Sequence, residues 1–294
     1  MNRKKQKIKQ PHKKRQIIGH VALAKATWLD ISSFWRPLVA ILAIYAVLNI
    51  LFVASISLLP SNQAIQDDIT KYLGGSAGRV LDSLTLVSIS IINISSPGNT
   101  LLQVLLIVVA SMAFIWALRK LRGLQTISAR QAYYEGPANI IPVLLVCTLL
   151  LLTLLPASIG STLLLYTLPI AGSSLELIIA YAISGGLMIL SLYWLMVWWP
   201  AVYISMLPAT TPIASMRAAA QLTKKNRLRL LQRFIIAIVV LFAAFFVIVV
   251  PIALIWQRLV PATVYTVIVL LFGTWHVVAF NLYRSLIDES TEKK

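Results

Sequence analysis

Residues 224–256 read KKNRLRLLQRFIIAIVVLFAAFFVIVVPIALIW. Four arginines and lysines crowd the first six positions, Arg233 follows, and from Phe234 to Trp256 there is no charge. An α-helix rises 1.5 Å per residue, so roughly 20 apolar residues cross the ~30 Å of hydrocarbon in a bilayer. This run is long enough, and its cations sit together at one end. Five further runs have the same character. The reading is an all-α, polytopic integral membrane protein with six transmembrane helices, at about 37–59, 100–118, 139–168 with a kink near Pro156, 175–199, 233–256 and 262–283.

Composition agrees. The 294 residues are 59% hydrophobic and 12% charged, where soluble domains carry about 25% charge. The formal charge of +17 raises the question of nucleic acid, but the cations lie between apolar runs, so no nucleic-acid partner is expected. The single cysteine, Cys147, lies inside an apolar run. It supports neither a disulfide framework nor a cysteine metal cluster.

Placed on six spans, the charges separate. Ten Lys/Arg precede Pro37, four fall in 119–138, six in 200–233 and three at the C-terminal end, so 23 of 26 share one side. Lys71, Arg79 and Arg258 are left on the other. Acids divide five to four and contribute little to orientation. By the positive-inside rule both termini are expected in the cytoplasm, in a bacterial cytoplasmic (plasma) membrane.

Residues 1–15 form a basic cytoplasmic tail, and a like-charge block of this kind is disordered by itself. A secretory signal with 37–59 as its apolar core is the competing reading, but the run is too long for one. In 17–35, Ile17, Val21, Ala24, Trp28, Ile31 and Trp35 recur at helical spacing on one stripe. Two tryptophans on that stripe and flanking cations suit a helix lying in the headgroup plane; a helix packed on other protein is the alternative. Similar short, basic, alanine-containing stretches occur at 128–135 and 216–225, with Thr211-Pro212 as cap and first position of the last. The predicted plan is therefore an elbow helix followed by a hairpin, used three times, within a membrane domain 16–285 and before a C-terminal tail 286–294. The external loop 60–99 contains an apolar stretch, 80–94, read as re-entrant or surface-lying; a seventh span there would break the orientation argument.

This layout, with the Ala-Leu-Thr-Lys-like segment at 219–225, resembles a loose group of mostly uncharacterised bacterial six-span membrane proteins. The group includes the membrane domain fused to some glycerophosphodiester phosphodiesterases. The resemblance covers about 17–285 and implies fold and location. It carries over no catalytic residue, and no soluble phosphodiesterase domain accompanies it here.

Chemistry is sparse. His276, with Asn281 one to two turns on, is the candidate intramembrane polar site, because an ionisable group at membrane depth is costly and marks function by default. The alternative is a neutral histidine bonded to a neighbouring helix. Glu176 reads as an acid favoured at a helix N-terminus. Gly185 and Gly186, with Ala180 and Ser184, read as a close-packing face, and Tyr193, Trp194, Trp198, Trp199 and Tyr203 as an interfacial belt. The candidate lipid-contacting cations are Lys4, Lys5, Lys13, Lys14, Arg15, Lys224, Lys225 and Arg227. The sequence contains no Ser/His/Asp set, zinc spacing, phosphate loop or dinucleotide fingerprint, so neither an enzyme nor a cofactor is expected. The function expected is a structural, accessory or interaction protein of the membrane. Its partners would be the bilayer, anionic headgroups and a membrane protein or second copy. A small transporter or lipid-handling protein is the alternative, and a lipid enzyme the third.

Overall fold

The computed structural model describes residues 19–54, 97–168, 170, 172–208 and 210–291. The basic tail and most of the loop 60–99, with its stretch 80–94, lie outside them. Among the described residues the fold is helical throughout, with no strand. Six helical segments are long and apolar enough to cross a membrane.

The first unit is α1 (His20–Ser33), α2 (Trp35–Asn49, continued by a π-helical turn, Ile50–Ala54) and α3 (Pro97–Arg122). The second is α4 (Ala129–Glu135), a 3-10 turn (Gly136–Asn139), α5 (Ile140–Leu152), α6 (Leu155–Thr167) and α7 (Ser174–Trp198), followed by α8 (Ala201–Ser205). The third is α9 (Pro212–Thr223), α10 (Arg227–Ile255) and α11 (Val260–Thr291). Each unit is a short elbow helix followed by a membrane hairpin, as the sequence plan expects.

Local chemistry sets the boundaries. Ser128, Ser173 and Thr211 each accept a hydrogen bond from the backbone N–H three residues on, which caps α4, α7 and α9. Glu176 accepts from the Gly172 N–H at 3.0 Å, so it closes the start of α7. Pro156 has no N–H to give, and its ring opposes the carbonyl four residues back. The third span therefore breaks into α5 and α6 at Thr153–Leu154. The Ala157 N–H freed at this break donates to Ser191 Oγ of α7 at 2.9 Å. Pro251 sits inside α10 without ending it.

Several bounds differ from the sequence reading. The fifth span begins at Arg227, because Leu230 is buried and keeps the basic first turns helical. The sixth helix continues through buried Leu286 to Thr291, so residues 286–291 of the expected C-terminal tail are helical. At the other end of its hairpin, α3 begins at Pro97, inside the stretch read as loop.

α3 closes on a tight turn. Gln125 N–H donates to Lys120 O at 3.2 Å and Leu124 N–H to Leu121 O at 3.1 Å, the paired bonds of a Schellman cap. That cap needs a left-handed residue, and here it is Leu124, with φ 58°. A leucine there costs about 1–2 kcal/mol relative to glycine.

The packing of elbows on hairpins follows one rule. α1 packs mainly on α11, α4 on α2 and α3, and α9 on α5, α7 and α8. Each elbow therefore lies under the hairpin of the unit before its own, and α1 closes the ring by reaching the last hairpin. One inter-helix hydrogen bond marks each join. Asn281 Nδ2 donates to Asp30 Oδ2 at 2.9 Å, Tyr133 OH to Ile41 O at 3.0 Å, and Thr223 Oγ1 to Val197 O at 3.3 Å.

The core sits at this elbow end. It gathers Ile41, Phe114, Leu118, Leu230, Leu282 and Leu286 around α3 and α11. The apolar stretches of α11 and α3 are the most buried of the six, and that of α10 the least. The remaining apolar faces suit lipid, which is as apolar as a core. Close approaches use glycine where it counts. A Cβ on Gly136 would lie 2.8 Å from Ala113 Cα, and one on Gly160 would lie 3.0 Å from Ser184 O. Gly185 and Gly186 face open space, so the close-packing face expected of them is not there; their neighbours Ala180 and Ser184 point the other way and are buried.

Candidate functional site

Polar and aromatic side chains converge where the elbows meet the span ends. Helix α1 buries Leu23, Thr27 and Asp30 against the bundle and leaves Val21, Ala24 and Trp28 exposed, while Ile31 is half-buried against the core; Trp35, also exposed, opens α2. Val21, Ala24 and Trp28 of the apolar stripe read from the sequence are thus on the outer face of the elbow, Ile31 turns to the core, Ile17 lies outside the described residues, and a second, mixed stripe fastens the helix.

Asp30 is the acid on that buried stripe. Arg122, from the last turn of α3, pairs with Asp30 Oδ2 and also donates to Asn281 Oδ1 at 3.1 Å. Asn281 in turn donates to Asp30, closing a triangle over three helices. The Asp30 side chain is 7% exposed and that of Arg122 31%. A buried carboxylate needs a partner, and this one has two.

A second cluster lies alongside. The Arg119 guanidinium donates to the Tyr203 carbonyl of α8. Tyr203 stacks on Tyr283 with ring centroids 5.0 Å apart, and Trp199 packs against Tyr203 and Phe234. Phe234 meets Trp275 edge-on at 4.6 Å. Trp199 and Tyr203 are therefore core residues, not members of an interfacial belt, because the chain turns at Pro200 and directs α8 inward. Trp194 and Trp198 stack on each other farther out.

The structure does not join His276 to Asn281. His276 is buried between Phe114 and Phe272, with centroids 5.7 Å and 4.6 Å away, and its Nδ1 is buried without a hydrogen-bond partner. Of the candidate lipid-contacting cations, Lys4, Lys5, Lys13, Lys14 and Arg15 lie outside the described residues. Lys224 and Lys225 stand exposed on the turn between α9 and α10. Arg227 is committed otherwise: its guanidinium covers the Tyr193 ring at 5.3 Å and donates to the Tyr193 hydroxyl. Lys25, Arg36, Arg130, Arg217, Arg229 and Arg284 are also exposed at this end, whereas Arg258 alone among the described cations lies at the opposite one.

Asp30, Arg122, Arg119 and Tyr203 were not singled out from the sequence. A signal existed for Asp30: with Leu23 and Thr27 it recurs at spacings of four and three, opposite the tryptophan stripe. Among the described residues no three His, Cys, Asp or Glu side chains are grouped to hold a metal ion. No family model, curated protein or solved structure matches the chain.

Proposed function

We propose that this chain is a structural or interaction protein of the bacterial cytoplasmic membrane, without chemistry of its own, whose elbow face lies on the cytoplasmic leaflet and holds anionic headgroups. One observation carries the reading: the exposed cations gather on the elbows and their adjoining turns, while the buried polar groups at the same end bond helix to helix. The first set faces outward with charge to neutralise, and each cation near an anionic surface contributes about 1 kcal/mol. The second set holds the bundle together.

The test is the lipid that copurifies with the full chain. Mass spectrometry should find anionic phospholipid enriched over the membrane extract, and a composition equal to the extract counts against the reading.

A second reading, a small transporter or lipid-handling protein, is favoured by the unpartnered Nδ1 of His276 inside the bundle. It requires that His276→Phe abolish a substrate-dependent signal while leaving the fold intact. A variant that keeps every such signal removes this reading.

A further inference from the structure

Among the described residues, four large apolar side chains are the most exposed: Leu124 at 94%, Tyr134 at 87%, Val21 at 84% and Leu228 at 81%. Ordinary lipid-facing positions on the spans are shielded more by their helix neighbours, as Val247 at 73% and Ile178 at 64% illustrate. All four lie at the elbow end of the bundle, Tyr134 and Leu228 in the first turns of their spans. Val21 is on elbow α1, Leu124 in the turn after α3, Tyr134 on elbow α4, and Leu228 in the first turn of α10 directly after elbow α9. All three units contribute.

Each also stands four residues from a cation. Val21 pairs with exposed Lys25, Tyr134 with Arg130 and Leu228 with Lys224, whereas the cation four before Leu124, Lys120, is half-buried with its ammonium over the Trp116 ring at 5.5 Å. Leu124 adds a further point, since it keeps a branched side chain where the backbone favours glycine. Water rewards neither the strain nor the exposure; a medium that is apolar below and anionic above accommodates both. Long basic side chains in such a surface lay their methylenes along the apolar layer and lift their charge to the phosphates.

We infer that Val21, Leu124, Tyr134 and Leu228 are in-plane anchors that sink the elbow end into the boundary between headgroups and acyl chains of one phospholipid leaflet, three of them near an exposed cation that meets lipid phosphate. This rests on the reading of the elbow face given above and deepens it: the elbows lie within the leaflet, not on it. The occupant is phospholipid because three of the four anchors stand near an exposed positive charge, a pairing that suits an anionic interface.

The experiment uses the full chain with Cys147→Ser, reconstituted in vesicles containing anionic phospholipid. Nitroxide labels go on Val21→Cys, Leu124→Cys, Tyr134→Cys and Leu228→Cys in turn. Val247→Cys serves as the hydrocarbon reference and Gln125→Cys, next to Leu124, as the water reference. Power saturation with oxygen and with a water-soluble nickel chelate then gives depth. All four anchors should read between the two references, with the ratio of oxygen to nickel collisions clearly above that of Gln125 and below that of Val247. Labels that resemble Gln125 overturn the inference, even if anionic lipid still copurifies. Labels shielded from both reagents and broadened by a second label overturn it in favour of contact between copies. Anchors that remain deep in purely zwitterionic vesicles sustain the insertion and separate it from the headgroup preference.

Discussion

Asp30 and Arg122, 92 positions apart, pair across the join between the first elbow and the end of the second span, and Asn281 of the last span completes the contact. Through this contact the ring of units closes. Removing one charge strands the other, and the two are not equally buried. Arg122→Leu leaves an almost fully buried carboxylate and should cost about 3 kcal/mol, whereas Asp30→Asn keeps a bond to Arg122 and should cost about 1 kcal/mol. Thermal unfolding in detergent checks the order. Asp30→Leu with Arg122→Leu should recover much of the loss of Arg122→Leu alone.

The same contact predicts where loosening appears. Since α1 packs on α11 and not chiefly on its own hairpin, Asp30→Ala should raise amide hydrogen exchange in 277–288 more than in 38–48. Exchange confined to the first hairpin would deny the cyclic packing rule.

Glycines give a contrast. At Gly136 an added Cβ meets Ala113 backbone at 2.8 Å, and backbone cannot yield cheaply. Gly136→Ala should cost about 2–3 kcal/mol. At Gly273 the obstacle is the flexible end of Leu42, at 2.7 Å, so Gly273→Ala should cost about 1 kcal/mol. Gly185→Ala and Gly186→Ala meet nothing, and each should stabilise by about 0.5–1 kcal/mol through helix propensity. Melting temperatures of the four variants decide the ranking.

These glycines also show how far the sequence could be read. Spans, elbows and the cap of α9 were legible because apolar runs contrast with basic turns, and because Thr211-Pro212 carries a local signal. Which side of a span meets protein was not. Lipid is as apolar as a packed core, so periodicity lacks the contrast it has in water. That is why Gly185 and Gly186 looked like a packing face while Gly136, in a turn, is the tight contact. It is also why Trp199 and Tyr203 looked interfacial. The Asp30–Arg122 pair was hidden for another reason: long-range partners leave no local pattern.

Ser191→Ala removes the acceptor of the Ala157 N–H at the break between α5 and α6. An unpaired buried N–H costs about 1–3 kcal/mol. The variant should lose stability by about that amount, with faster hydrogen exchange in 155–160.

The charge split predicts an orientation. A reporter fused after Lys294 should read cytoplasmic, and one inserted near Gly74 should read external. Opposite readings would invert the leaflet assigned to the elbows.

The most direct test is lipid selectivity around the full chain. Spin-labelled phosphatidylglycerol and phosphatidylcholine are compared for the motionally restricted fraction in reconstituted membranes. The anionic lipid should be preferred several-fold at low salt. The preference should fall in about 1 M salt, where the Debye length is about 3 Å, and fall further in Lys224→Gln with Lys225→Gln. Equal restricted fractions for the two lipids at low salt would contradict the account.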